Sequence, residues 1–412
     1  MSTSTQTRGA KLIARCRELA RITDIPGETT RLFLSPATHG AHALLLSWMM
    51  RAGLETRTDD VGNLRGVRQA ANADAPTLLL FSHIDTVPNA GAFDGPLGVL
   101  LGLAVMEELG TTPLPFHIEL IALSEEEGIR FNFPFLSSLA ITGGLTAEHL
   151  TRKDRDGVSL ADAIRAFGLE PDRITETCPL PARAFAALEV HIEQGPVLES
   201  EDGSLAVVHS IIGQSRLKLT FEGQANHAGT TPMPLRRDAL AAAAQWIAEV
   251  ERFALEHKQL VATVGRMEVL PGAVNVVPGT VHLTLDVRHP SDESRHAAVG
   301  ILLTKAQHAG ECRGVQVRAS GQTEQRSVPM DAALTTALDH AAVQAGYPAQ
   351  TMFSGAGHDA MILAPHIPTT MLFVRSPGGL SHHPDEDVRE EDVEAAIAVV
   401  LQLIRDLRPS LS

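Results

Sequence analysis

The stretch "PTLLLFSHIDTV", residues 76–87, has the pattern of a strand that ends abruptly in polar residues. An apolar run fills its first half, and "SHID" follows at once. A short apolar run of this kind is typical of a strand covered on both faces of a sheet. The sequence therefore predicts a buried strand here, with a histidine and an aspartate at its carboxyl end.

The two segments that follow extend this strand into a larger unit. "GVLLGLAVMEELG" (98–110) has the apolar spacing of a helix, and "FHIELIALSEEE" (116–127) is a second apolar run ending in acids. Strand, helix and strand at this spacing indicate a parallel sheet. The "SHID" and "SEEE" residues then lie at the carboxyl edge of that sheet, where α/β proteins build their sites.

The pattern changes near residue 211 and returns near 327. "RLKLTFEG" (216–223) and "VHLTLDVRHP" (281–290) alternate apolar and polar residues, as strands with one solvated face do, and an alanine-rich helix is predicted at 238–256. We therefore predict an α/β protein with a mixed, mainly parallel sheet flanked by helices and an inserted α+β domain. The predicted boundaries are 1–210 and 327–412 for a discontinuous catalytic domain, and 211–326 for a lid or dimerisation domain.

Composition restricts the possible partners. The net charge of −15 argues against nucleic acid or an anionic membrane, and there is no apolar run long enough to span a bilayer. The start, "MSTSTQTRGAKLIARC", has no apolar core of a secretory signal. Cys16, Cys178 and Cys312 are isolated, so neither a disulfide framework nor a CxxC metal site is expected. The predicted compartment is the cytoplasm.

Five stretches concentrate His, Asp and Glu beside Gly or Pro. Imidazole with carboxylate suits Zn²⁺ or Mn²⁺, whereas an all-oxygen set would suggest Mg²⁺ or Ca²⁺. Two cations would also relieve the repulsion within a run such as "SEEE". The stretches are "SHIDTVPNAGAFDG" (82–95), "SEEEGIRF" (124–131), "HIEQGP" (191–196), "SGAGHDA" (354–360) and "GGLSHHPDED" (378–387).

Each stretch alone has a simpler interpretation. A single His-x-Asp is commonly a surface or core pair, and acidic runs are commonly solvated. "PDEDVREED" (384–392) is better explained as acids that favour the start of the last helix. The sequence contains neither HExxH nor GxSxG, and its glycines do not follow a nucleotide-binding spacing, which disfavours zincins, serine hydrolases and nucleotide enzymes.

Taken in order, the motifs resemble the dinuclear metallo-amidohydrolases that include N-carbamoyl-L-amino-acid hydrolase, allantoate amidohydrolase and β-ureidopropionase. These enzymes are related to aminoacylase and to dinuclear exopeptidases. The resemblance runs from about residue 20 to 405. The motifs that carry it are "SHIDTVPNAGAFDG", "EEGIRF", "HIEQGP", "GQANHAGTTPM" (223–233) and "GGLSHHP".

The resemblance implies a site with two divalent cations per chain, Zn²⁺, Mn²⁺ or Co²⁺. One cation would be held by His83, Asp94 and His191, and the other by Asp94, Glu127 and His382, with Asp94 bridging. Glu126 would be the general base. Asp85, two residues after His83, is expected to accept the other N–H of that ring.

Three positions bear on the subclass. His191 stands where the peptidase relatives have an acid, which points to the ureido-acid branch. His383 follows the expected ligand His382 where Ser or Asn is common. Ile129 occupies a position that is usually small, so the edge of the pocket is expected to differ from that of relatives.

The inserted domain would contribute a second group of residues. The resemblance implies that His227 stabilises the oxyanion across a dimer interface, and that Asn275 and Arg288 grip the substrate carboxylate as a pair. Further substrate contacts would come from Gln194 and the backbone near Gly357, with His358 and Asp359 in support. From the residues alone, Arg288 could be solvated and Asn275 could be a turn former.

The implied function is hydrolysis of the carbamoyl C–N bond of a small carboxylic acid, giving amino acid, ammonia and CO₂. An N-carbamoyl-L-amino acid is the first expected substrate, followed by allantoate and then N-carbamoyl-β-alanine. A homodimer and a hinge near residues 210 and 326 are expected. The alternatives are an aminoacylase or dipeptidase, which His191 disfavours, and a non-catalytic binding protein, which would have lost Glu126 or a ligand.

Overall fold

The structure of the protein is a computed structural model that describes residues 6–409. Residues 1–5, where the stretch examined for a secretory signal begins, lie outside the described part. The chain forms two compact units. The first unit comprises the described residues up to His209 and those from Pro329 onwards. The second unit is Ser210–Val328. That the second unit acts as a lid or dimerisation domain stays a prediction.

Strands and helices alternate along most of the described chain. The strands are β1 (Glu55–Thr58), β2 (Leu64–Arg68), β3 (Thr77–His83), β4 (His117–Leu123), β5 (Ala184–Ile192), β6 (Leu205–Ile211), β7 (Gly213–Glu222), β8 (Asn226–His227), β9 (Val261–Leu270), β10 (Val276–Val277), β11 (Thr280–His289), β12 (Gln316–Gln325), β13 (Val328–Pro329), β14 (Gln350–Ser354) and β15 (Thr369–Val374). The α-helices are α1 (Arg8–Ala20), α2 (Pro36–Arg51), α3 (Pro96–Leu109), α4 (Leu136–Ile141), α5 (Ala147–Leu150), α6 (Leu160–Ala166), α7 (Ile174–Thr177), α8 (Val197–Ser200), α9 (Ala239–Glu256), α10 (Asp292–Glu311), α11 (Ala332–Gln344), α12 (Ala360–Leu363) and α13 (Glu390–Asp406). Short 3₁₀ turns lie at Pro171–Arg173, Met233–Leu235 and Pro377–Gly379.

The first unit contains a mixed sheet in the order β1-β2-β4-β3-β5-β15-β6-β13, with β14 beside β6. Its centre is parallel, because β3 pairs in parallel with β4 and β5, and β15 does so with β5. Strand β2 joins β4, and β6 joins β15, in the antiparallel sense. The predicted α/β class with a mixed, mainly parallel sheet is therefore confirmed.

Burial explains why the predicted strands and helix formed as expected. Every residue of β3 and of β4 is buried, so these strands read as continuous apolar runs rather than alternating ones. Helix α3, between them in sequence, is also buried along most of its length and packs against β3, β4 and β5. Helices α1 and α13 pack on α3, which places a single large core on this side of the sheet.

The second unit has an antiparallel sheet in the order β12-β7-β11-β9. Strands β7 and β11 alternate buried and more exposed residues, as their sequences predict. Helices α9 and α10 cover the buried face around Trp246, whose indole N–H donates to the carbonyl of Leu302 at 2.8 Å. Edge strand β9 is largely exposed.

Two findings bear on the predictions from composition. Cys16, Cys178 and Cys312 are free cysteines, the first two buried and the third exposed. Among the helices that the structure describes, none is both long enough and apolar enough to cross a membrane.

Candidate metal centre

The carboxyl ends of the parallel strands bring the predicted ligands to one edge of the sheet. His83 is the last residue of β3 and pairs with Leu123, the last residue of β4. Glu126 and Glu127 lie three and four residues after the end of β4, and His191 is the penultimate residue of β5. The side chains gathered here could therefore hold cations without any long-range rearrangement of the sheet.

His83, Asp94 and His191 form the first triad. The Nε2 atoms of the two histidines lie 3.3 Å apart, and Asp94 Oδ1 lies 3.6 Å from His83 Nε2 and 3.2 Å from His191 Nε2. All three residues are buried. They form one of the groups whose donor atoms converge closely enough to share a metal ion.

Hydrogen bonds at the far side of each ring fix how these histidines face the site. His83 Nδ1 lies 3.1 Å from the carbonyl oxygen of Asp85, and His191 Nδ1 lies 2.9 Å from that of Ile192. A carbonyl accepts only, so each Nδ1 donates and a neutral ring turns the lone pair of Nε2 inward. Two nitrogen lone pairs 3.3 Å apart repel each other, so either a proton or a cation must lie between these atoms.

Asp94, Glu127 and His382 form the second triad. His382 Nε2 lies 3.3 Å from Asp94 Oδ2 and 3.4 Å from Glu127 Oε1. Asp94 thus turns one oxygen to each triad, as the predicted bridging carboxylate would. The neighbouring His383 is exposed and pairs with Asp385 instead, so the geometry favours His382 over His383 as the ligand.

The spacing of the donor atoms fits divalent cations. Two ligands about 2.05 Å from one tetrahedral ion lie about 3.3 Å from each other. The five separations given above for the two triads are 3.2 to 3.6 Å. Asp94 Oδ1 is, in addition, a buried atom without a hydrogen bond in the described part of the chain. The mixed imidazole and carboxylate donor set suits Zn²⁺, Mn²⁺ or Co²⁺.

Asp85 supports the site in a way that differs from its predicted contact. Its backbone carbonyl makes the shorter approach to His83 Nδ1, whereas its carboxylate oxygen Oδ1 is 3.4 Å away. The carboxylate accepts hydrogen bonds from the backbone N–H groups of Glu126 and Glu127, at 3.0 and 3.2 Å. Asp85 therefore ties the end of β3 to the glutamate turn after β4.

The three consecutive glutamates have three different surroundings. Glu125 is buried and accepts hydrogen bonds from the backbone N–H groups of Gly128 and Leu136, so it is a structural residue rather than a solvated one. Glu127 faces His382, as described above. Glu126 has a carboxylate oxygen within 4.8 Å of donor atoms of both His83 and Glu127.

The pKa values of the Asp94 and Glu126 carboxyl groups are shifted in opposite directions. Burial opposes ionisation of Asp94, but its contacts with His191, His382 and His83 outweigh that effect and hold the pKa of the carboxyl well below its usual range. At Glu126, burial raises the pKa well above the ordinary value, His83 opposes the shift, and Glu127 adds to it. Asp94 is thus suited to stay charged, and Glu126 to take up a proton.

Gln194, predicted to contact substrate, lies against the bridging carboxylate. Its backbone has a positive φ of 58°, and its Nε2 donates to Asp94 Oδ2 at 2.8 Å. Ser381 Oγ donates to the same oxygen at 2.5 Å. Gly357, the other predicted contact in this unit, faces the ring of Phe135, because a Cβ atom there would lie 2.9 Å from Phe135 Cζ.

One buried residue beside the site, Glu189, was not found from the sequence. Glu189 precedes His191 by two positions on β5, is fully buried and accepts from the backbone N–H of Ala360. The i, i+2 spacing on one strand face was the signal that could have revealed it. His358, predicted to have a supporting role, packs edge-on against His191 with ring centroids 4.5 Å apart, and burial lowers its pKa well below the usual value.

The acidic stretch before the last helix also differs from its predicted explanation. Glu390 and Glu391 do lie in the first turn of α13, but Asp392 is buried in a bidentate ion pair with Arg375. Glu386 is buried and bonds to the loop that carries Asp94. Helix-start acids therefore account for only part of this stretch.

Within the second unit, His227 and Asn275 lie together. Strand β8 pairs with β10 so that His227 faces Val276, and the carbonyl of Asn275 accepts from the N–H of Ala228 at 2.9 Å. His227 Nδ1 accepts from the backbone N–H groups of Gly229 and Thr230. Its proton is therefore on Nε2, which makes that exposed atom a hydrogen-bond donor.

Arg288 is not brought to this pair within one chain. It lies near the His289 end of β11, whereas the β8–β10 ribbon adjoins the Thr280 end. Eight residues of strand separate Arg288 from Thr280, a length of about 27 Å. The guanidinium also bonds to Asp286, with Nε 2.9 Å from Oδ1. Within one chain Asn275 and Arg288 therefore lie near opposite ends of β11, and their role as a pair that grips the substrate carboxylate stays a prediction.

The comparison with known families defines the class. The model of peptidase family M20/M25/M40 matches residues 79–406. The chain belongs to this family of metal-dependent hydrolases, and the resemblance inferred from its motifs is confirmed.

Two related sequences and one solved structure are similar to this chain over nearly its whole length. An N-carbamoyl-L-amino acid amidohydrolase from Geobacillus stearothermophilus is 38% identical to this chain over 403 residues, which are 97% of this chain and 98% of the relative. A probable allantoate deiminase from Oryza sativa subsp. japonica is 36% identical over 95% of this chain and 87% of its own length. A solved amidase of the hydantoinase/carbamoylase family from Burkholderia multivorans has a TM-score of 0.89 and 36% identity, covering 96% of this chain and 97% of that chain.

Proposed function

We propose that this protein hydrolyses the carbamoyl C–N bond of an N-carbamoyl-L-amino acid, releasing the amino acid, ammonia and CO₂. The observation that carries the proposal is the pair of ligand triads that share Asp94. The relative from Geobacillus stearothermophilus, similar over nearly the whole of both chains, supports the substrate class. His191, in place of the acid expected in peptidases, supports a ureido acid over a peptide.

The first triad and the second triad would each hold one divalent cation, Zn²⁺, Mn²⁺ or Co²⁺. Bound there, the two cations would polarise the carbamoyl carbonyl and lower the pKa of water at the site. Asp94 stays ionised between the triads, and Gln194 and Ser381 hold one of its oxygens in place.

Glu126 would act as the general base. It takes a proton from the water that attacks the carbamoyl carbon and gives it to the leaving nitrogen as the C–N bond breaks. Asp85 orients Glu126 through the backbone N–H at 3.0 Å. The released carbamic acid then decomposes to ammonia and CO₂.

The second unit would supply the remaining polar groups. His227 Nε2–H would donate to the oxyanion, and Arg288 would bind the substrate carboxylate through its planar fork. Asp286 holds the guanidinium of Arg288 in one orientation.

We propose a homodimer in which His227 and Asn275 of one subunit serve the substrate bound by Arg288 of the other. The separation along β11 supports this arrangement, because one small substrate cannot reach both ends of the strand. Edge strand β9 supports it further, since exposed Met267 and Leu270 lie on it and β11 is its only neighbouring strand in the described part of the chain, so a second copy could extend the sheet there.

Allantoate is the second candidate substrate, because the rice relative carries an allantoate deiminase name at nearly the same identity. A panel of N-carbamoyl-L-amino acids, allantoate and N-carbamoyl-β-alanine, scored by ammonia release with added Mn²⁺, Co²⁺ or Zn²⁺, separates the candidates. We expect the highest kcat/KM on an N-carbamoyl-L-amino acid. A clear preference for allantoate would replace the first substrate by the second, and no turnover of any ureido acid at full cation occupancy would refute the proposal.

A further inference from the structure

Glu386 is a buried carboxylate beside the metal centre that neither triad uses. Its side chain is only 5% exposed, and it lies four residues after His382 in the turn that precedes α13. Burying a carboxylate costs free energy unless hydrogen bonds compensate it. The contacts that compensate Glu386 therefore indicate what it does.

Among the described residues, both hydrogen bonds that the Glu386 side chain accepts come from the loop carrying the bridging ligand, and both end on Oε1. The backbone N–H of Phe93 donates to Glu386 Oε1 at 2.8 Å, and that of Asp94 itself donates to the same oxygen at 3.0 Å. These two bonds fix the peptide planes from which the Asp94 side chain extends. The direction of the Asp94 carboxylate is thus set from behind by Glu386.

The loop packs onto Glu386 so closely that a side chain is excluded. A Cβ atom on Gly91 would lie 2.3 Å from Cβ and 2.5 Å from Oε1 of Glu386. Separations under 3 Å cannot be accommodated without movement of the loop or of the carboxylate. Gly91 therefore lets the backbone approach the acceptor that organises the loop.

The backbone of Glu386 contacts the turn that carries His382, the histidine of the second triad. Its backbone N–H donates to the carbonyl of His383 at 3.1 Å, which closes the turn after His382. The side chain and the backbone of one residue thus connect the Asp94 loop with the His382 turn. These two segments supply two of the three ligands of the second triad.

We propose that Glu386 is a positioning residue that holds Asp94 in register with His382 and thereby sets the cation affinity of the second triad. It touches no reacting atom and acts through the geometry of Asp94. The inference rests on the proposed metal centre. The first triad depends on it less, because His83 and His191 are held by their own strands and carbonyl contacts.

The test measures cation binding to the purified apoenzyme by competition with a chelating dye, using Mn²⁺ and Zn²⁺. We expect Glu386→Ala to lower the affinity for the more weakly bound cation by about 10- to 100-fold, the usual effect of removing a residue that orients a metal ligand. Gly91→Ala should do the same while leaving the carboxylate present. Glu386→Gln should retain most of the affinity, because the amide oxygen can accept both N–H groups.

The dependence of turnover on cation concentration distinguishes a positioning role from a merely structural one. In Glu386→Ala, the cation concentration for half-maximal turnover should rise by the same factor as the dissociation constant, while KM stays within about twofold of wild type at saturating cation. Loss of kcat that excess cation does not restore would overturn the proposal.

Asp154→Ala is the matched control. One oxygen of Asp154 also accepts two backbone N–H groups, those of Asp156 and Val158, in a loop between α5 and α6. This variant should lower the melting temperature without changing cation affinity. Wild-type affinity for both cations in folded Glu386→Ala overturns the inference, as does an equal loss in Glu386→Gln. Failure of the wild-type apoenzyme to bind cations would instead refute the proposed metal centre.

Discussion

His382 Nε2 lies 3.3 Å from Asp94 Oδ2, while the other oxygen of the same carboxylate lies 3.2 Å from His191 Nε2. One side chain thus joins a histidine near the end of the chain to a histidine on the central sheet. Since each triad also has ligands of its own, removing His382 should affect one triad and spare the other.

His382→Ala is expected to lower the bound divalent cation from about two to about one per chain, with loss of turnover, because both cations take part in a two-metal site. Metal analysis of dialysed enzyme measures the stoichiometry. His383→Ala is the matched control, since this exposed neighbour faces Asp385, and it should retain both cations. The opposite pattern would assign the ligand to His383.

Arg288→Lys should raise KM for a ureido acid about tenfold and change kcat much less, because a single ammonium replaces a bidentate guanidinium. Steady-state kinetics on N-carbamoyl-L-amino acids measures both constants. Arg216→Lys is the control, as Arg216 bonds to the same Asp286 from the neighbouring strand. An equal rise of KM in both variants would show that the Asp286 cluster, rather than a substrate contact, is affected.

The distance between His227 and Arg288 along the inserted sheet predicts complementation between subunits. His227→Ala and Arg288→Ala should each be nearly inactive. Dissociating and reassociating an equal mixture should restore about a quarter of wild-type activity, because about half of the dimers are mixed and one of their two sites is intact. No recovery, with mixed dimers demonstrated, would place both residues in one chain's site.

An ion-pair cluster within the second unit predicts acid-dependent stability. Burial opposes ionisation of Glu324, but hydrogen bonds from Gln322, Ser215 and the buried Arg295 outweigh it and hold the pKa at about 2, against an ordinary value of 4.5. His296 also faces this carboxylate. The pKa is depressed on folding, so the stabilisation is present above about pH 4.5 and is lost as the pH falls towards 2.

Glu324→Gln should therefore lower the melting temperature at pH 7, and the difference from wild type should shrink between pH 4.5 and pH 2. Thermal unfolding followed by circular dichroism measures it. Glu268→Gln is the control, because Glu268 is half-exposed and lies 3.7 Å from Arg266, and exposed pairs of this kind contribute little. A difference that does not change with pH would contradict the depressed pKa.

Much of the fold can be predicted from the sequence because its central strands are continuous apolar runs. The apolar runs that become β3 and β4 are buried throughout, and each ends where ligands are needed. The local pattern of apolar and polar residues was therefore enough to predict that His83 and Glu127 lie at one edge of the sheet. The resemblance then assigned the other ligands, whose positions in the structure are compatible with it.

What the sequence did not predict depends on contacts between distant segments. Glu386 resembles one of several acids before a helix, and nothing near it in sequence shows that it meets the loop of Asp94. Asn275 and Arg288 are only 13 positions apart, yet β11 carries them to opposite ends of a sheet. Register and packing decide such relationships, and a single sequence does not display them.

The most direct test of the account is titration of the metal-free enzyme with Mn²⁺ while ammonia release from an N-carbamoyl-L-amino acid is recorded, for wild type and for Glu126→Gln. We predict that wild-type turnover rises to its maximum at about two equivalents per chain, and that Glu126→Gln binds the same amount but turns over about 10²- to 10⁴-fold more slowly. Full turnover by metal-free enzyme, or wild-type turnover by Glu126→Gln, would contradict the account.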